Sequence, residues 1–161
     1  MITLRNVHPT DLDQLIIIEN EGFTEEEAAT REAFIERILF IPDTFIVAEQ
    51  NGKVLGYVNG PIIRQAYITD DLFTEIQPNP ARVGYQSILG LAVSDQARGR
   101  GVAKLLMDKL DELAAANDRE GVTLTCKKEL IPFYEKLGFV NEGVSASEHG
   151  GIRWYNLVKR R

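Results

Sequence analysis

One stretch constrains the fold more than any other. An apolar run from Gly84 to Val93 leads into Gln96-Ala97-Arg98-Gly99-Arg100-Gly101-Val102-Ala103, and then into a stripe of Val102, Leu105, Leu106, Leu110 and Leu113. The run is continuous and not alternating, which suits a strand buried on both faces. The stripe recurs every three or four residues, as on an amphipathic helix. A second short apolar run, Val122 to Cys126, follows. Strand, tight turn, helix and strand form a crossover, and crossovers join parallel neighbours. The pattern predicts that the strands ending at Val93 and Cys126 lie parallel, side by side, in a mixed sheet flanked by helices.

The remaining segments fill in an α/β order. Ile2 to Val7 reads as a first strand. Thr10 with Asp13, and Thr24 with Glu27, resemble capping boxes and predict two helix starts. Pro42 ends the second helix, because it lacks an amide donor and clashes with the preceding turn. Thr44 to Glu49 and Lys53 to Ile63 read as a hairpin across Asn51-Gly52, which tolerates the positive φ of a tight turn. Gly56 and Gly60 weaken the second of these strands. Residues 64–82 show no period and carry Asp70, Asp71, Glu75, Pro78 and Pro80, the profile of a functional loop or lid. Leu130 to Leu137 reads as a short helix stopped by Gly138. Val140 to Val144 and Ile152 to Val158 read as a closing hairpin. The expected order is β-α-α-β-β-β-α-β-α-β-β, in one domain over residues 1–161.

Composition narrows the function. Eighteen basic against 24 acidic side chains give a net charge of −6. That is the wrong sign for a generic nucleic-acid binder or a polybasic membrane module. Cys126 is the single cysteine, and His8 and His149 are the two histidines, so neither a disulfide nor a cysteine- or histidine-rich metal site is expected. No window approaches the ~18 apolar residues of a membrane span. The expected compartment is the cytoplasm.

The chemistry concentrates at the glycine-arginine turn. The first amides of a helix have no internal partners, and its dipole adds partial positive charge. Gly99 and Gly101 permit close approach of a phosphate, and Arg98, Arg100 and Lys104 add formal charge to an acidic chain. The spacing is neither that of a Walker loop nor Gly-x-Gly-x-x-Gly.

Arg98-x-x-Gly101-x-Ala103 after an apolar strand resembles the Arg/Gln-x-x-Gly-x-Gly/Ala motif of the GNAT (GCN5-related N-acetyltransferase) superfamily. Ile131-Pro132-Phe133-Tyr134-Glu135-Lys136-Leu137-Gly138-Phe139 resembles its second signature. One helix and one strand separate the two, as in the family, and the resemblance covers the whole chain. It implies the GNAT fold: a mostly antiparallel mixed sheet with a central splayed pair of parallel strands and about four helices. It also implies acetyl-CoA as co-substrate and no metal. The pyrophosphate would sit on Arg98, Gly99, Arg100, Gly101, Val102, Ala103 and Lys104, and the pantetheine arm along Leu91, Ala92 and Val93. An amine would attack the thioester directly through a tetrahedral intermediate. The Leu91 amide would stabilise the oxyanion and Tyr134 would act as acid for the leaving thiolate. Cys126 reads as a buried strand residue and not as a nucleophile.

Glu19-Asn20-Glu21-Gly22-Phe23, Leu91-Ala92-Val93 and Leu130-Ile131-Pro132-Phe133-Tyr134 further resemble the arylalkylamine branch of the superfamily. That branch carries a histidine pair where this chain has Ser87 and Leu89, so its proton relay is absent. Glu21, Glu129 and His149 are candidates for removing the amine proton, alongside water. Glu21, Phe23, Ser87 and Leu89 are expected near the acceptor. Phe23, Tyr67, Phe73 and Tyr85 are candidate linings, and Asp70, Asp71 and Glu75 a candidate field for a cationic amine. The expected partner is a small-molecule amine, with the chain as monomer or homodimer. A protein N-terminus or lysine, or a non-catalytic acyl-CoA sensor, is the alternative. A groove open at 64–82 would favour a protein acceptor, and an ordered loop there a small molecule.

Overall fold

The computed structural model describes residues 1–161. Nine strands and four helices follow one another as β1 (Thr3–Asn6), α1 (Leu12–Gly22), α2 (Arg31–Phe40), β2 (Phe45–Gln50), β3 (Lys53–Asn59), β4 (Ile62–Ile63), β5 (Tyr85–Ile88), β6 (Gly90–Val93), α3 (Val102–Ala116), β7 (Gly121–Cys126), α4 (Ile131–Lys136), β8 (Val140–Val144) and β9 (Tyr155–Arg160). They build two sheets, ordered β1-β2-β3-β6 and β4-β5-β7-β9-β8. The parallel pair exists, but it joins β5 to β7, with Ser87 opposite Thr123. The predicted partner of β7 was the strand ending at Val93. That strand, β6, instead pairs antiparallel with β3. The apolar run Gly84–Val93 breaks at Leu89, and its two halves serve different sheets. A run buried on both faces carries no mark of which neighbour it takes, so its sequence looks unbroken.

The strand predicted over Lys53–Ile63 breaks in the same way. β3 stops at Asn59, and the chain crosses to the second sheet through Gly60-Pro61. A Cβ at Gly60 would lie 2.0 Å from the Ser87 carbonyl oxygen, so only glycine lets the two backbones meet there. Gly56 has a related role. Its added Cβ would lie 2.8 Å from the Ala92 oxygen and 3.2 Å from Val102 Cγ1, where α3 begins its descent onto the sheet.

Both expected helix starts moved. Asp11, and not Asp13, closes the first by accepting the His8 amide at 2.7 Å. Thr24 and Glu27 do bond one another, at 2.8 Å between hydroxyl and carboxylate, but they shape an isolated turn. The helix begins at Arg31, capped by Thr30, whose hydroxyl accepts from the Ala33 amide at 3.1 Å. Along β2 the side chains alternate between two cores. Phe45 and Val47 pack with Leu15, Phe34, Ile38 and Tyr57 under α1 and α2. Ile46 and Ala48 pack with Val102, Leu106, Leu110 and Leu124 under α3. Helices therefore cover both faces of the first sheet. No helix is long and apolar enough to cross a membrane.

Candidate active site

A cavity of about 500 Å³ opens where β6 and β7 diverge. One wall is the stretch Ile88–Leu91. The other is Leu124–Cys126 with Tyr134 from α4. β6 is an edge strand, paired with β3 on one side only. The Ser94 amide donates to the Leu55 carbonyl at 2.7 Å. Alternation along an antiparallel ladder then turns the Ala92 backbone toward Tyr57 and points the amides of Leu91 and Val93 at the open edge. Leu91 thus offers a free donor to the cavity, while Ala92 is buried and engaged.

Tyr134 is buried across from that edge, ringed by Phe133 and Phe139 at 5.0 and 5.8 Å. Burial, and secondarily the neighbouring Cys126, hold its hydroxyl well above the ordinary tyrosine range. It therefore keeps its proton at neutral pH and has no acceptor within the chain to share it with. Burial, and then Glu129, push the Cys126 thiol up to about 11. Cys126 lines the cavity as a neutral group.

At the mouth of the splay the chain turns into α3. Gly99 and Gly101 have φ of +79° and +75°, and a Cβ on either would meet nothing within 4 Å. The first bond of the helix runs from the Leu105 amide to the Gly101 carbonyl at 3.1 Å. The amides of Val102, Ala103 and Lys104 precede it and have no helical partner. Arg98, Arg100 and Lys104 surround this helix start, lightly held by Asp95, Gln50 and Asp108. An open, glycine-lined helix start with three exposed cations fits a phosphate-bearing group.

The outer end of the cavity is bordered by segments distant in sequence. His149 does most of the joining: its Nε2 donates to the Glu27 carbonyl at 2.9 Å, and its ring stacks on Phe73 at 4.4 Å. Trp154 Nε1 donates to the His149 carbonyl at 2.7 Å. Asp70 accepts the Glu148 amide at 2.9 Å and also the Ser147 hydroxyl. Further out, Tyr67 donates to Glu142 at 2.7 Å. Residues 64–82 and 145–154 are thereby pinned to each other and to the α1–α2 loop.

Of the acceptor-side residues expected from sequence, Phe23, Leu89, Asp70, Phe73 and His149 do line the cavity. The others lie elsewhere. Glu21 is exposed and accepts the Asp95 amide at 3.2 Å. Ser87 is buried behind the wall, donating to the Pro61 carbonyl at 2.5 Å. Tyr85 accepts from Arg160, Glu129 is exposed on the surface, and Asp71 and Glu75 line a separate shallow groove.

Three buried charged residues were missed. Glu19 and Arg37 are 5% and 2% exposed, and Glu27 is 5% exposed. All three line the cavity. Glu19 accepts from the Tyr57 hydroxyl and, at 2.8 Å, from the Ala29 amide. Glu27 is paired with Lys127 at 2.6 Å. Burial pushes the Glu27 carboxyl up, but Lys127 and Thr24 together bring it below the ordinary range. The signal was present in spacing. Glu19 falls four residues after buried Leu15, and Arg37 three after buried Phe34, so each sits on the inward face of its helix.

Such a cleft suits transfer of an acyl group from a phosphate-bearing carrier, which places the protein among the acyltransferases. The description "Acetyltransferase (GNAT) family" matches residues 12–139, and the chain belongs to that family. It is an acetyl-CoA-dependent acetyltransferase. The serotonin N-acetyltransferase of Mesocricetus auratus is 24% identical over 157 residues, 95% of this chain and 74% of that one. An N-alpha-acetyltransferase of Sulfurisphaera tokodaii is 29% identical over 140 residues, 84% and 78% of the two chains. The solved GphF GNAT-like decarboxylase in complex with isobutyryl-CoA shares the fold, with a TM-score of 0.84 at 16% identity over 98% of each chain. The relatives thus divide between a small-molecule and an N-alpha acceptor.

Proposed function

We propose that the chain acetylates the primary amine of a small molecule, by direct attack on acetyl-CoA bound in the same cleft. The observation that carries this reading is the ordered wall at the outer end. Asp70, Phe73, His149 and Trp154 tie residues 64–82 and 145–154 across the acceptor end, beside a cavity of about 500 Å³, a volume that suits a small molecule.

The phosphates of the co-substrate rest on the start of α3, at Arg98 to Lys104, and its arm follows the open edge of β6 at Leu91 and Val93. The amine, once neutral, attacks the acetyl carbonyl carbon. The Leu91 amide donates to the carbonyl oxygen as it gains charge. The C–N bond forms, the C–S bond breaks, and Tyr134 gives its proton to the departing sulfur. The surplus proton on nitrogen leaves through the cavity and restores Tyr134. Of Glu21, Glu129 and His149, only His149 lines this space. A carbonyl can only accept, so its Nε2 carries a hydrogen.

The test is release of free CoA thiol from acetyl-CoA with arylalkylamines, polyamines, amino acids and short peptides. Turnover confined to small amines is expected. The likeness to an N-alpha-acetyltransferase sustains a second reading, in which the wall opens for a protein N-terminus. Turnover of peptides alone would establish it. Tight binding of acetyl-CoA with no turnover of any amine would leave a sensor.

A further inference from the structure

Arg37 is a buried cation whose acidic neighbours, Glu19 and Glu36, act on it from beyond ion-pair distance. It is 2% exposed, and no carboxylate oxygen lies within the 4.0 Å of an ion pair. Its one hydrogen bond in the chain runs from Nη1 to Asn59 Oδ1 at 3.2 Å. The ring of Phe34 lies 5.8 Å beneath the guanidinium carbon. Arg37 lines the cavity, and its remaining N–H groups make no hydrogen bond within the chain. Leaving a guanidinium so far from water and so poorly partnered is costly unless a ligand completes it.

We propose that Arg37 receives the carboxylate of the acceptor, so that the substrate is a small amino acid and not a plain amine. This rests on the small-molecule reading above. Guanidinium and carboxylate match as planar partners joined by two parallel hydrogen bonds. Position supports the assignment. Asn59, which holds Arg37, pairs with Gly90, and Gly90 precedes Leu91 in β6. The carboxylate site and the acyl-transfer site are therefore neighbours across the β3–β6 ladder, as the carboxylate and amine are neighbours in an amino acid. Charge supports it too. Glu19, Glu27, Glu32, Glu36 and Asp70 also line the cavity, and Arg37 is the one arginine or lysine in its lining. Such a lining repels a simple anion and accepts a molecule carrying ammonium and carboxylate together.

The experiment compares matched pairs that differ only in the carboxylate: phenylalanine with phenethylamine, and lysine with cadaverine. Free thiol release is read for wild type, Arg37→Met and Arg37→Lys. In wild type, kcat/KM for the amino acid exceeds that for its decarboxylated partner by about 10–100-fold, the worth of a charged, two-point contact. In Arg37→Met this preference collapses toward one, chiefly through KM, and Arg37→Lys restores part of it. Equal or better use of the decarboxylated amines by wild type overturns the proposal while leaving the small-molecule reading intact, and needs no variant to fold. Succinyl-CoA displacing acetyl-CoA as donor, with its use lost in Arg37→Met, places the carboxylate on the acyl group and overturns it as well. Turnover of peptides alone overturns the reading beneath it.

Discussion

Gly60 is where the two sheets touch, and Gly60→Ala tests whether that contact holds the splay. The new methyl carbon would stand 2.0 Å from the Ser87 oxygen and 2.5 Å from the Ser87 carbonyl carbon, where ordinary contact begins at 3.4 Å. Both partners are backbone, so β5 must retreat by more than 1 Å. Three hydrogen bonds resist the retreat. The Ser87 amide donates to Pro61 at 3.1 Å and the Leu89 amide to Asn59 at 2.8 Å. Gln86 Nε2 donates to the Gly60 carbonyl at 2.8 Å. Overpacking a core site costs about 1–3 kcal/mol, and stranding one buried polar group costs about 1–3 kcal/mol more. A total of about 4 kcal/mol lowers Tm by about 10 °C in a chain of this size. Thermal denaturation by circular dichroism measures it, with Gly22→Ala as control. Gly22 ends α1 with nothing within 4 Å of its added Cβ, so that variant shifts stability by at most about 1 kcal/mol. A fall in Tm of less than about 3 °C for Gly60→Ala would refute the argument that this backbone contact has no slack.

Three further perturbations separate chemistry from scaffold. Tyr134→Phe lowers kcat by about 10²–10⁴-fold, the usual worth of a general acid. It leaves Tm nearly unchanged, because the hydroxyl has no partner in the chain to lose. A variant that keeps full turnover removes Tyr134 from the acid role. Asp11→Asn bears on pH. Burial pushes the Asp11 carboxyl up, but Arg5 at 2.8 Å and the His8 amide outweigh it and hold the group below its ordinary value. The contribution is complete above about pH 4 and is lost as pH falls through the lower folded value. Urea denaturation should show a deficit of about 1–3 kcal/mol at pH 7 that narrows at pH 3; a constant deficit would assign the effect to packing. Cys126, at about 11, should react with iodoacetamide at pH 8 at least about 100-fold more slowly in the folded than in the unfolded chain, from the lost thiolate fraction alone. Rapid labelling of the folded protein contradicts the buried, neutral thiol.

Some of this was legible because it is local. The β2–β3 hairpin follows from Asn51-Gly52 between apolar runs, and α3 from its stripe. The glycine-arginine turn and the segment around Tyr134 carried the family. The break at Leu89 was not legible, since Ile88, Leu89 and Leu91 look alike whichever sheet each half joins. The helix at Arg31 was misplaced because Thr24 and Glu27 satisfy each other's bonds without propagating a helix. Glu19 and Arg37 were passed over because charge reads as surface by default, and only the tertiary fold supplies Tyr57, the Ala29 amide and Asn59 as their partners. His149 stands more than a hundred residues from the Glu27 carbonyl it binds, a distance that no window spans.

An unpaired strand edge ordinarily invites a second molecule to add a strand, which is the first step toward aggregation. β6 has such an edge, yet it opens into the cleft and not onto the outer surface. Its exposed amides face a wedge whose far wall is Leu124, Cys126 and Tyr134. A neighbouring β-strand would have to enter that wedge with its side chains, which an edge on the outer surface does not require. The geometry that divides one strand between two sheets therefore also turns an open backbone edge inward, toward a cavity and away from the outer surface.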